Sequence, residues 1–289
     1  MNPKPSGDHS VMNSKSVPRM AVLFSVILLI FIFFLVVYAS PILFRSKHVD
    51  TKSFPAPGRL LVVFAHTDDE VTNSGLIRHW ANQGSQIQIL TLTDGAANPK
   101  SDLTACLPNE NITQCRLREL SDSAKILGIG KINAPKLPDS RLMEHLPQAT
   151  QEVQSLLNSF QPDAILTMEP SGLNGLADHR AAFLSVANAL KNTRQEIPRL
   201  YLSMLPPPFS WFLSSRIPTP LKNRMKVFPT NQELIDVKVA DALAHRSQAT
   251  TINGISLGLG PRRLFSWIDF ETYSIHPMSE LSVLLSDVY

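Results

Sequence analysis

The chain reads as an α/β protein. A three-layer, mostly parallel sheet with helices on both faces is preceded by one N-terminal transmembrane helix. Three observations predict this. From residue 60 onward, short apolar runs alternate with segments of helical period. The apolar runs are continuous, as expected of strands buried on both faces. Residues 20–44 carry no charge. With 289 residues, 44% of them hydrophobic, the chain can bury one substantial core. Its net charge of +3, without a basic block interleaved with aromatics, argues against nucleic acid as a partner.

Residues 1–19 are polar, rich in Pro, Ser, Asn and Gly, and predict a disordered tail. Residues 20–44 (MAVLFSVILLIFIFFLVVYASPILF) predict the bilayer anchor, bracketed by Arg19 and Arg45. Up to Ser40 a helix would span about 31 Å, close to the hydrocarbon core, and Pro41 is a natural place for it to end. A signal peptide has a shorter apolar core and a small-residue cleavage site, which Tyr38-Ala39-Ser40 fits poorly, so the anchor is read as uncleaved. Lys4, Lys15 and Arg19 precede it and Arg45, Lys47, Lys52 and Arg59 follow it, so the basic flanks leave its orientation open. Residues 45–57 read as a linker and 58–289 as the catalytic domain.

Within that domain, strands are predicted over 60–65, 87–92, 164–168 and 199–204. Helices are predicted over 73–82, 113–127, 149–160, 178–190 and 231–245, with Gly128 and Gly130 as stop signals for the second. Several of the 22 prolines cluster at 135–147 and 205–229, which read as rigid loops. The latter, with Pro206-Pro207-Pro208, Trp211 and Phe212, is apolar and irregular; it rests on a bilayer or caps the core. Cys106 and Cys115 are either bridged or two free thiols. Asn111-Ile112-Thr113 between them has the form of a glycosylation sequon, and a bridged pair would fit an oxidising compartment.

In a parallel sheet of this kind, ligands bind at the carboxyl ends of the strands. The first strand ends in Ala65-His66-Thr67-Asp68-Asp69-Glu70. Three carboxylates this close repel unless a cation sits among them, and His with carboxylate suits Zn2+, with Fe2+ or Mn2+ as substitutes. A catalytic zinc takes three protein ligands, so a third is expected from another strand end. The loop after 164–168 leads to Asp178-His179-Arg180, where His179 can turn back to the crevice. Asp178 either caps the helix or orients a ligand from behind.

These motifs resemble the N-acetylglucosaminyl-phosphatidylinositol de-N-acetylases and their LmbE-like bacterial relatives. That family carries Ala-His-Pro-Asp-Asp-Glu at a strand end and a later His-Pro-Asp-His. Here the two read AHTDDE and LADH. Thr93-Asp94-Gly95, Arg116-Leu117-Arg118-Glu119-Leu120, Leu137-Pro138-Asp139 and His245-Arg246-Ser247-Gln248 follow in family order, so the likeness covers roughly 58–250. It implies an LmbE-like, Rossmann-like fold and a zinc-dependent N-deacetylase. It assigns His66, Asp69 and His179 as metal ligands, Asp68 as general base, and Arg116 and Asp139 as residues near the sugar. Glu119 could help to orient substrate, and His245 is a candidate proton donor. The implied partners are an N-acetylated sugar or glycolipid and, through 20–44, a lipid bilayer. The location would be the endoplasmic reticulum membrane in a eukaryote or the inner membrane in a bacterium.

Two positions depart from the family. Thr67 replaces Pro, which fixes the turn. Leu176 replaces a His thought to stabilise the oxyanion or donate a proton, and leucine does neither. The readings left open are a glycolipid deacetylase, an amide hydrolase on a soluble or envelope sugar, and a metal- or sugar-binding protein whose catalysis has weakened.

Overall fold

The computed structural model describes residues 19–49, 51–193, 199–212, 219–256, 258 and 260–277. Of the expected tail, 1–19, residues 1–18 lie outside them. Two compact units emerge, Met1–Ala39 and Ser40–Tyr289. In the first, a single apolar helix begins; its stretch Val22–Lys47 is long and apolar enough to cross a membrane. This helix, α1 (Arg19–His48), runs through Pro41 instead of stopping there. Tertiary contacts account for the difference: Phe44 stacks on Phe270 with ring centroids 6.1 Å apart, and Arg45 pairs with Asp269.

The second unit contains β1 (Arg59–Phe64), α2 (Ser74–Asn82), β2 (Gln86–Thr91), α3 (Ile112–Leu127), β3 (Lys131–Asn133), α4 (Leu146–Phe160) and β4 (Ala164–Met168). It continues with α5 (Ala177–Lys191), β5 (Arg199–Met204), α6 (Thr219–Asn223), β6 (Met225–Pro229), α7 (Gln232–Ala244), α8 (Ala249–Ile255), α9 (Pro261–Trp267) and β7 (Phe270–His276). The four expected strands and five expected helices are present, with ends shifted by up to three residues.

The seven strands form one sheet in the order β3-β2-β1-β4-β5-β7-β6. Only β7 runs against its neighbours. Residues 205–229, expected to be irregular throughout, end in an edge strand. Pro229 closes β6 at that edge, where a missing N–H costs least. Alternation along β1 shows why both faces must be apolar. Leu61 and Val63 enter a core with Val153, Leu157, Phe183 and Val186 of α4 and α5. Leu60, Val62 and Phe64 enter a second core with Leu76, Trp80, Leu120 and Leu127 of α2 and α3. Each fully buried side chain of this size contributes about 1.5–3 kcal/mol.

The segment expected as a linker is part of this core. Phe54 is 3% exposed, lies 5.4 to 6.2 Å from the rings of Tyr201, Phe228 and Tyr273, and its carbonyl accepts from Trp80 Nε1 at 3.2 Å. The chain order reverses between β1 and β4: β2 and β3 lie to one side of β1, β4 and β5 to the other. The loops leaving β1 and β4 therefore diverge and leave a crevice at their carboxyl ends.

Candidate functional site

The loop after β1 turns sharply, because the Asp69 carboxylate accepts the backbone N–H of His66 at 2.8 Å. This aims the His66 ring at the loop after β4. That loop is tied in turn by Glu169, whose carboxylate accepts from Ser171 N at 2.6 Å, Leu173 N at 2.8 Å and the Ser171 hydroxyl. Gly172 takes a φ of 78°, and a Cβ there would meet His179 Cβ at 2.9 Å. Its carbonyl faces His179 Nδ1 at 3.1 Å. A carbonyl only accepts, so Nδ1 carries the proton and Nε2 presents its lone pair.

On the other ring, His66 Nε2 lies 3.2 Å from Asp139 Oδ1 and 3.5 Å from Asp178 Oδ2. Two carboxylates there require a proton on Nε2, which leaves Nδ1 to face inward. The inward atoms converge. His66 Nδ1 and His179 Nε2 are 3.1 Å apart, His179 Nε2 and Asp69 Oδ1 3.2 Å, and His66 Nδ1 and Asp69 Oδ2 3.6 Å. Donor atoms at the corners of a tetrahedral zinc site stand about 3.3 Å apart, given bonds of about 2.0–2.1 Å. Two nitrogen lone pairs and a carboxylate facing one another need a cation between them, so this donor set fits a divalent metal. Burial alone would lower the His66 pKa, but the carboxylates of Asp139, Asp178 and Asp69 override it and hold it well above its ordinary value. Burial works to raise Asp69, but His179 and His66 drive it below the usual carboxylate range.

Asp68 stands beside this triangle. Arg116 Nη2 donates to its Oδ1 at 3.0 Å. The same guanidinium donates through Nε to the Thr67 hydroxyl at 2.8 Å and through Nη1 to the Gly95 carbonyl at 2.6 Å. Arg116 is 2% exposed. Expected near the sugar, it directs its guanidinium onto Thr67, Gly95 and Asp68. Asp139, also expected at the sugar, is turned onto His66 and accepts Ala97 N–H at 2.8 Å. Asp94 joins the two loops by accepting from Ala96 N at 3.1 Å and Asp139 N at 3.3 Å. Asp178 orients from behind: it accepts Ser140 N at 2.7 Å and Leu142 N at 3.0 Å, while Leu176 holds the N-cap position of α5. Leu176 itself is 49% exposed on the lip.

His245 does not reach the crevice. It is fully buried, and its Nε2 meets Glu70 Oε1 at 2.7 Å, where the Ser123 hydroxyl also donates at 2.8 Å. Burial would lower the His245 pKa, but Glu70 raises it to about 9, while burial pushes Glu70 up to about 7. Glu119, another expected substrate group, is buried and accepts the backbone N–H of Ser247 at 2.8 Å and its hydroxyl at 2.7 Å. Both acids anchor the segment after α7 to the back of the metal loop. Reading residues by type missed the parts played by Gly172 O, Gly95 O and Thr67, since two are backbone atoms and the third is a hydroxyl without a motif.

Residues 61–190 match the family model described as PIG-L, GlcNAc-PI de-N-acetylase. The chain carries a PIG-L/LmbE-like deacetylase family domain. One curated relative is the 1D-myo-inositol 2-acetamido-2-deoxy-alpha-D-glucopyranoside deacetylase of Mycobacterium sp. (strain KMS). It is 24% identical over 239 residues, covering 70% of this chain and 78% of that protein. Another is the mycothiol S-conjugate amidase of Streptomyces coelicolor, 28% identical over 140 residues, 42% of this chain and 47% of that protein. Among solved structures, the zinc-inhibited form of teicoplanin deacetylase Orf2 shares the fold with a TM-score of 0.57 at 17% identity. It covers 76% of this chain and 98% of that one. The N,N'-diacetylchitobiose deacetylase of Pyrococcus horikoshii does so with a TM-score of 0.51 at 18% identity, covering 80% and 88%. The LmbE-like layout of the PIG-L domain is therefore common to proteins of low sequence identity, and β5, β7 and β6 extend its sheet beyond the matched residues.

Proposed function

We propose that this protein is a metal-dependent hydrolase that removes the acetyl group from an N-acetylated amino sugar. The observation that carries the reading is the inward-facing pair His66 Nδ1 and His179 Nε2 with Asp69, beside a carboxylate held by a buried arginine. His66, Asp69 and His179 hold the metal, with Zn2+ the ion their types and spacing favour. When bound, it supplies an acidified water and charge stabilisation at the carbonyl oxygen. Asp68, paired with Arg116 at 3.0 Å, takes the proton of the attacking water. The tetrahedral carbon then expels the amine, which must leave protonated. Leu176 has no proton to give and His245 is buried away from the crevice, so Asp68 returns the same proton to nitrogen.

The family model and the Mycobacterium relative both bear names describing an N-acetylated glucosamine joined to inositol. That linkage, in a glycolipid head group or a soluble conjugate, is the substrate class we favour. The apolar helix α1 anchors the enzyme in a bilayer. Acetate release from N-acetylglucosaminyl-phosphatidylinositol and from simple N-acetylglucosamine conjugates tests the reading in wild-type, Asp68→Ala and chelator-treated protein. Release that requires both the metal and Asp68 is expected. Metal-loaded protein inert toward all of them would instead support a binding protein, the alternative that Leu176 keeps in play.

A further inference from the structure

Cys106 and Cys115 are joined by a disulfide, and among the described residues no cysteine is free. The bridge lies in the segment that joins β2 to the start of α3. Residues 97–115 begin at Ala97, which donates to the Asp139 carboxylate behind His66. Asn98 Nδ2 then donates to Gln248 Oε1 at 2.6 Å, and Asp102 N to the Ser247 carbonyl at 2.8 Å. Arg118 grips both oxygens of Glu110 at 2.9 and 3.0 Å, and the fully buried Cys115 closes the loop at the start of α3. The disulfide thus braces the segment that touches the metal ligands' own supports.

Thiol buffers keep such bridges reduced in a cytosol, and they persist where the surroundings oxidise. Among the described residues one helix is long and apolar enough to cross a membrane, and the described domain that follows a crossing at that helix lies on one side of it. The basic residues flanking the apolar stretch 20–44, three before and four after, do not choose that side. The disulfide does. The exposed Asn111, N-cap of α3 within the same loop, heads an Asn-Ile-Thr sequon that an oxidising lumen would read.

We propose that the crevice faces the oxidising, extracytoplasmic side of the membrane. Its N-acetylated amino sugar comes from there, as an exported glycan or the head group of a lipid in the outward leaflet. The inference rests on the anchored-deacetylase reading and narrows its substrate to material already across the bilayer. The test uses the full-length chain in sealed membranes. Protease is added to right-side-out and to inverted vesicles, and free thiols are trapped before lysis. A domain digested only in right-side-out vesicles, with Cys106 and Cys115 trapped as a disulfide, is expected. Digestion only in inverted vesicles, or free thiols in the intact cell, would overturn the proposal.

The same vesicles separate its failure from that of the activity. A membrane-impermeant N-acetylglucosamine conjugate should be hydrolysed by right-side-out vesicles without detergent. Hydrolysis only by inverted vesicles defeats the proposal but leaves the deacetylase standing. No hydrolysis in either, even in detergent, defeats the deacetylase reading while the protease result still reports the side. Soluble and lipid-linked conjugates, run side by side, tell an exported glycan from a lipid head group. In translation with microsomes, a glycosidase-sensitive mobility shift abolished by Asn111→Gln gives further support for the side.

Discussion

Thr67→Val keeps the shape of a fully buried side chain and removes the acceptor of the Arg116 Nε–H. Three contacts fix that guanidinium, at Thr67, the Gly95 carbonyl and Asp68, and the variant deletes the first. Leaving a buried donor unpaired costs about 1–3 kcal/mol. The cost falls on the group that sets the position and charge of Asp68. If it appears in the barrier, kcat drops about fivefold to about a hundredfold, at about 1.4 kcal/mol for each factor of ten. The metal ligands are untouched, so metal content should stay at the wild-type level, and Thr67→Ser should restore the rate. Gly95→Ala should mimic the loss, because a Cβ there would meet Arg116 Nη1 at 2.9 Å. The assay is acetate release with metal content measured on the same samples. A Thr67→Val rate equal to wild type at full metal occupancy would refute the reasoning, and Arg116 would then be held well enough by its other two partners.

Asp139→Asn weakens the charge behind His66 Nε2 and should lower metal affinity about tenfold to a hundredfold, measured by competition with a chelator. Unchanged affinity would count against Asp139 as a support of the ligand. The His245 pKa, raised by Glu70 to about 9, lies above its unfolded value of about 6.5, so the folded chain binds the extra proton between them. That stabilisation is complete below about pH 6.5 and is lost as pH rises through about 9; thermal unfolding of wild type and His245→Gln across this window should show the His245 component of the slope only in the former, beside the component that the raised Glu70 gives both. Leu176→His should raise the deacetylation rate by restoring a proton donor at the lip, and no gain at normal metal content would sink that idea. Replacing Cys106 and Cys115 with serine opens a loop of sequence separation 9 and should cost about 2–3 kcal/mol of stability, read from denaturant unfolding.

Four of the parallel strands were legible because they are buried and appear as apolar runs, as in residues 60–64, whereas β3, three residues with none fully buried, was missed. The antiparallel extension was missed too. β6 begins with two half-buried residues and ends in Pro229, and β7 reads FETYSIH, whose Glu271 is buried only because Lys238 and the backbone of Gly75 and Leu76 meet it. Partners that rescue a buried charge lie far away in sequence and leave no local signal. The same holds at the crevice. His66, Asp69 and His179 were legible from residue type at strand ends, and the structure brings their donor atoms together. Arg116 and Asp139 were placed in the right neighbourhood, but their partners Asp68 and His66 were not read, because which group a side chain meets is decided by packing that spacing does not encode.

The clamp behind the metal loop sets what can be cut from this chain. The family match stops at residue 190, yet Glu70 and Glu119 lie within it and take their hydrogen bonds from His245 and Ser247, more than fifty residues further on. Phe54, ahead of the match, fills the core between Trp80 and Tyr201. A fragment trimmed to residues 61–190 would leave Glu119 without its Ser247 donors and Glu70 with Ser123 but without His245, both buried, and would leave β4 as a bare sheet edge where β5 now pairs. The stretch that heredity recognises as a module is therefore shorter than the stretch that melts as one piece, and expression boundaries belong outside Phe54 and beyond β7.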